Sequence, residues 1–297
     1  MKRFFILASA AIVALASCAK TEVVHNGEQQ EIAFKAVTGS VTKSEQSGTL
    51  TETMGVFAVV HGGSSDFDNV SFSKDATENY WTGTEGEMYW PVNHKLDFVV
   101  YSPFVNGSEF TANKLTVATD NSANVELDNQ IDYLYGAEYY DDTDAGYDKD
   151  TEYVPVTLKH AQAKVTVSFD IANVTVTNVK LTAPVLQGSF VVDYSSTTPS
   201  IDWTPGSANS AVELIASTDI DEEASLLVVP KTKTNITFNY QIKGSDVSLP
   251  YEINVTDTWA AGKHYTYNVS ITPKEIKFTP TVAVWDEDVT GTPSTTL

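Results

Sequence analysis

Apolar and polar residues alternate with a period of two along most of this chain. The clearest runs place Val165, Val167, Phe169 and Ile171, then Ile236, Phe238, Tyr240 and Ile242, then Tyr251, Ile253 and Val255, then Tyr265, Tyr267, Val269 and Ile271 between polar neighbours. Successive side chains of a strand point to opposite faces, so each run predicts a strand with one buried and one wetted face. Other apolar stretches are more continuous: Met54 to Val60, Leu96 to Tyr101, Val154 to Leu158, and Leu226 to Val229, which Pro230 stops. Turn residues separate them, among them His61-Gly62-Gly63, Asn106-Gly107 and Lys243-Gly244-Ser245-Asp246. No segment carries a convincing helical period. The pattern predicts an all-β protein built of sandwiches. Length adds that one hydrophobic core does not serve the whole chain, so two consecutive sandwich domains are expected, divided near residues 155 to 162.

Two strands near the ends of the chain invite a second reading. Glu31 to Val37 alternates through Ile32 and Phe34, and a Ser/Thr-rich stretch follows it. Glu275 to Trp285 alternates through Ile276, Phe278, Val282 and Val284, with Pro280 in its middle. Proline cannot donate to a ladder, which confines this segment to an edge or a bulge. Either strand can complete a sheet of its own chain. That is the plainer reading of the residues alone; the functional alternative is that a removable strand at one end and a spare strand at the other are what polymerisation by strand donation requires. Such a head-to-tail contact does not close on itself and makes a fibre.

The first residues point to export. Lys2 and Arg3 precede an apolar run from Phe4 to Leu15, which ends in Leu15-Ala16-Ser17-Cys18. A basic tip, a core too short to span a bilayer and small residues before a cut site predict a signal peptide over 1–17. Leu-Ala-Ser-Cys resembles the bacterial lipobox, which implies lipid on Cys18. Each buried methylene contributes about 0.8 kcal/mol, so several acyl chains anchor a protein firmly where one does not. Cys18 is the only cysteine, so no internal disulfide is possible and stability must come from packing.

Charge removes some partners. The full chain carries 18 basic and 39 acidic residues, for a net charge of −21. Without Lys2 and Arg3 the balance is −23, and no arginine remains. So acidic a surface repels phosphate backbones and anionic headgroups, which disfavours nucleic-acid binding.

Tyr89-Trp90-Pro91, followed by Leu96, Phe98, Tyr101 and Pro103, resembles the signature of fimbrillin-like lipoproteins of the Bacteroidetes. Three more pieces fit in order: Asp132 to Ala137, Val156 to Val165, and Ala261 to Val269, with Ile276, Phe278, Val284 and Trp285 after them. The resemblance implies two transthyretin-like sandwich domains and delivery to the outer membrane as a lipoprotein. It also implies proteolytic removal of an N-terminal segment and joining of subunits by strand exchange. On this reading residues 18–48 hold a tether and the removable strand with Ile32 and Phe34. Residues 49–158 form the first sandwich, and 159–297 form the second, ending in a donor segment at about 274–290 with Ile276, Phe278, Val282 and Val284. Partners would be further copies or related fimbrial subunits, the outer membrane through Cys18, and a host or bacterial surface ligand. The best-known members are cut after an arginine in the loop following the first strand. Here Lys43 occupies the comparable place, so cleavage is expected at or near Lys43. Otherwise the chain is an uncleaved anchor or accessory subunit.

Candidate chemistry is sparse. His25, His61, His94, His160 and His264 are scattered without metal-ligand spacing, and His160 and His264 fall on strands, where a structural role is expected. Neither a nucleophile elbow nor a Walker loop occurs. The loop from Asp141 to Asp150 offers Asp142, Asp144 and Asp148 to a hard cation such as calcium, but Gly146 falls out of EF-hand register, and a solvated acidic turn is the preferred reading. No cofactor and no enzymatic activity are expected. The pairs Tyr80-Trp81 and Tyr89-Trp90 leave one alternative open, an outer-membrane glycan-binding lipoprotein that stacks sugars on exposed rings.

Overall fold

The computed structural model describes residues 30–38, 53–63, 65–75, 80–84, 88–138, 146–196 and 198–285. Within them the chain forms β1 (Phe34–Thr38), β2 (Thr53–Val60), β3 (Ser65–Lys74), β4 (Trp81–Gly83) and β5 (Leu96–Ser102). Next come β6 (Glu109–Thr111), β7 (Lys114–Asp120), a 3₁₀ turn at Leu127–Asn129, β8 (Leu134–Glu138) and β9 (Val154–His160). The remainder is β10 (Ala163–Ile171), β11 (Val174–Leu181), β12 (Gln187–Asp193), β13 (Ser200–Pro205), β14 (Val212–Thr218) and β15 (Glu222–Val228). The last four are β16 (Ile236–Ile242), β17 (Ser248–Ile253), β18 (Lys263–Ile271) and β19 (Ile276–Val284). The all-β expectation is borne out.

β1, β4, β3, β2, β5, β8 and β9 hydrogen-bond in that order and close into a barrel, because β1 lies antiparallel to β4 and parallel to β9. Its interior is filled by Phe34, Met54, Val56, Phe72, Trp81, Trp90, Phe98 and Leu158. β2 and β5 also carry apolar residues on their other face. There Phe57, Val99 and Tyr101 pack against Leu115, Val117, Phe190, Val192 and Trp203 of a four-stranded sheet, β13-β12-β7-β6. A strand covered on both sides needs no polar alternation, which is why Met54 to Val60 and Leu96 to Tyr101 read as continuous runs.

The second body faces sheet β15-β10-β18-β19 against sheet β14-β11-β16-β17. Val165, Val167, Phe169, Val176, Phe238, Trp259, Tyr267 and Val269 form its core. β11 is bulged near Asn178, whose φ of 54° lies in the left-handed region, and its register against both β14 and β16 shifts there.

Pairing crosses from one half of the chain to the other. β12 lies antiparallel to β7 over seven residue pairs, from Gln187↔Asp120 to Asp193↔Lys114, so the hairpin of β12 and β13 enlarges a sheet begun by β6 and β7. Nearby, side-chain amides pair with backbone groups in and beside the segment from Gln130 to Tyr133. Asn121 donates from Nδ2 to Ile131 O at 2.8 Å and accepts from Ile131 N at 2.8 Å. Gln130 binds Leu227 in the same two-way manner, at 2.9 and 2.6 Å, on the outer edge of β15. Gln162 Oε1 accepts from Tyr133 N at 3.1 Å. A buried backbone group left unpaired would cost about 1–3 kcal/mol, so these amides do the work of a missing neighbour strand.

Candidate functional site: the terminal strands

The residues expected to work here are backbone edges and the apolar side chains behind them, so the site is two strands and what they touch. β1 is embedded. Ile32 and Phe34 are fully buried, and Ala36 nearly so. Phe34 meets Phe72 and Phe98 edge-on, with centroids 5.1 and 5.0 Å away and interplanar angles of 88° and 89°. The strand pairs in register with β9 from Phe34↔Val154 to Thr38↔Leu158. Just before it, Ile32 N donates to Met88 O at 2.6 Å and Trp90 N donates to Gln30 O at 3.0 Å. On its outer side the Lys35 ammonium sits 3.9 Å from the centre of the Tyr153 ring. Its contact with β4 is brief, a single pair, Phe34↔Trp81. β1 is therefore the stave that closes the barrel. It joins β2 only through residues 39–52, and Lys43, like Cys18, lies outside the described residues.

β19 is held differently. It pairs over its full length with β18, from Ile271↔Ile276 to Lys263↔Val284, and forms the edge of its sheet. Pro280, opposite Tyr267, sits on that edge, where a missing donor is tolerated. Ile276 and Phe278 are half-buried against the second core, and Phe278 stacks on Tyr267 with centroids 5.5 Å apart. Val282 and Val284, further along the same face, are 48% and 37% exposed. Burial pushes the Tyr267 hydroxyl up to about 12, and it accepts the Trp259 Nε1 hydrogen at 2.9 Å. It stays protonated throughout the physiological range. The structure thus keeps both strands on their own chain, one sealed in a core and the other half-open.

The end of β19 meets the end of β9 at a corner the alternation pattern did not reveal. His160, the last residue of β9, is buried, and its Nδ1 lies 2.8 and 3.0 Å from the carboxylate oxygens of Asp132, itself buried. Trp285 stacks flat on the His160 ring, centroids 3.7 Å apart and planes within 8°. These residues are far apart in sequence, so no local spacing could have signalled the contact. His264 is engaged too, with Nε2 2.7 Å from Thr166 Oγ1.

Trp81 and Trp90 point into the barrel, 2% and 3% exposed, so the pairs Tyr80-Trp81 and Tyr89-Trp90 present no open indole platform for a sugar. Asp148 accepts from Asp150 N at 3.0 Å and lies 3.7 Å from Lys95 Nζ, while Asp142 and Asp144 fall outside the described residues. Among the described residues no group of three or more metal-binding side chains converges. Asp97 pairs with His61 Nδ1 at 2.9 Å, and burial raises its carboxyl above the ordinary range despite that partner.

The family model described as fimbrillin-like matches residues 28–285. No curated protein matches the sequence. Among solved structures, a candidate cell adhesion protein of Bacteroides ovatus ATCC 8483 is similar, with a TM-score of 0.60, 15% identity, and coverage of 88% of this chain and 99% of that one. One from Bacteroides uniformis ATCC 8492 gives a TM-score of 0.56 and 19% identity over 86% of this chain and 99% of that one. A fimbrial protein of Bacteroides vulgatus ATCC 8482 gives 0.50 and 14% over 86% and 99%. At these identities the likeness is one of fold.

Proposed function

Since this chain belongs to the fimbrillin-like family, we propose that it is a structural subunit of a cell-surface fimbria, working in adhesion through assembly and not through catalysis. In this reading lipid on Cys18 carries it to the outer membrane, a cut at or near Lys43 severs β1 from the rest, and β19 of one copy serves as donor to the barrel of the next. The observation that carries the reading is the place of β1. A single stave closes the barrel, and one linker, residues 39–52, is its sole covalent tie to everything that follows.

Energetics refine the mechanism. Burying Ile32 and Phe34 stabilises β1 by roughly 1.5–3 kcal/mol each, before its ladder to β9 is considered. A cut alone therefore leaves β1 seated. Its departure is driven by an incoming strand whose alternating apolar residues refill the same slots, so the reaction is exchange at a continuously covered groove and not passage through an empty one. Ile276, Phe278, Val282 and Val284 supply such an alternating set.

The test uses variants that spare the fold. Val282→Asp and Val284→Asp alter exposed positions, so monomer stability should hold while heat-resistant ladders on gels disappear. N-terminal sequencing of protein shed from cells should find a start just after Lys43. A surface form that begins at Cys18 and stays monomeric would overturn the stalk role and leave an anchor or accessory subunit.

A further inference from the structure

We infer that the stack of Trp285 on His160 is a latch that keeps β19 on its own chain until β1 leaves the barrel. The inference takes its purpose from the strand-donation reading, but its physical content stands apart from it.

The latch rests on β9, the strand that also pairs with β1. Trp285 ends β19 with two attachments to one corner: its ring lies 3.7 Å above His160, and its backbone N–H donates to Gly262 O at 3.0 Å. Gly262 N in turn donates to Gln162 O at 2.8 Å, so residues 160–162 receive the whole end of the strand. His160 is held in place by Asp132 behind it, with 8% and 4% of the two side chains exposed at most. The rest of β9, Val154 to Leu158, is the stretch that pairs with β1. Its described pairing with β8 is confined to Leu134↔His160 and Tyr135↔Lys159. Removing β1 therefore strips that ladder from Val154–Leu158, the stretch that runs into His160, while His160 itself stays paired with Leu134 and bound to Asp132.

The remaining grip on β19 is uneven. Val282 and Val284 are exposed, and beyond the half-buried Ile276 and Phe278 the aromatic stack is the main apolar contact of the strand's far half. An edge strand frays from the end least well packed, so the contact at Trp285 governs whether fraying begins. Coupling of this kind would keep a precursor with its barrel closed from offering a donor strand prematurely.

Amide hydrogen exchange on the full chain tests this. Trp285→Ala should speed exchange across Ile276–Val284 by about tenfold, while β15, the opposite edge of the same sheet, stays unchanged. His160→Gln, which keeps a hydrogen bond to Asp132 but lacks the ring, should act alike, and Trp285→Phe should restore much of the protection. A specific protease site placed in residues 39–52, or Ile32→Ala in the uncut chain, should raise exchange in Phe34–Thr38 and Ile276–Val284 together. In the Trp285→Ala background the second segment should no longer respond. Unchanged exchange at Ile276–Val284 in Trp285→Ala, or β15 loosening equally, overturns the latch. Exchange as expected with no polymers under any condition keeps the latch and sinks strand donation alone.

Discussion

Single residues fix how closely the layers approach. Gly136 lies on β8, where an added Cβ would stand 2.5 Å from Thr157 O and 3.1 Å from the side chains of both Val156 and Leu158. The obstacle is backbone and cannot swing away, so Gly136→Ala should destabilise the barrel by about 1–3 kcal/mol in urea titrations, with an unchanged slope. Asp193 shows an electrostatic effect at the same scale. Ser195 and Lys114 hold its carboxyl down to about 2, through the Ser195 hydroxyl and N–H and an ammonium 2.9 Å away. A depressed carboxyl favours folding above its unfolded value of 3.8, and that contribution is lost as pH falls toward about 2. Asp193→Asn should therefore lower stability slightly at neutral pH, with the gap to the parent closing across that acid window in thermal melts. The carboxylate is exposed, so the effect is small.

Individual elements differ in how much the sequence disclosed. The alternating runs became β10, β16, β17 and β18 because each turns its apolar side chains toward one core, which is all the period-two signal reports. Pro280 announced an edge, and β19 is one. The continuous runs were legible as strands, but not which sheet lies on each side of them. The parallel pairing of β1 with β9 was hidden as well, because nothing in five residues says which distant strand they join. For the same reason the contact of Trp285 with His160 could not be read. The two terminal strands should answer substitution differently. Phe34→Ala removes a fully buried ring and should cost about 3–5 kcal/mol, whereas Val282→Asp should shift the unfolding midpoint little, a contrast that chemical denaturation of the two variants measures directly.

At the scale of the whole molecule, the hairpin of β12 and β13 ties the chain's halves together. Its inward residues, Phe190, Val192 and Trp203, belong to the core shared with Phe57 and Tyr101, and Trp203 Nε1 donates to Ala161 O at 2.8 Å. A fragment comprising 159–297 should keep protection in β10, β16 and β18, since the second core is its own, but lose it in β12 and β13, which have left their partners behind. Exchange mass spectrometry of the fragment beside the intact chain reads this, and equal protection of the hairpin in both would show that it folds without β7.

That strap also sets how a fibre built from such units would respond to being pulled. A beads-on-a-string filament stretches by swivelling at the connection between beads. Here seven residue pairs between β7 and β12 lie across that connection, so bending one half against the other must first tear a ladder and bare the rings beneath it. A cell tethered in flow would hang from stiff rods, with its compliance pushed outward into the contacts between subunits.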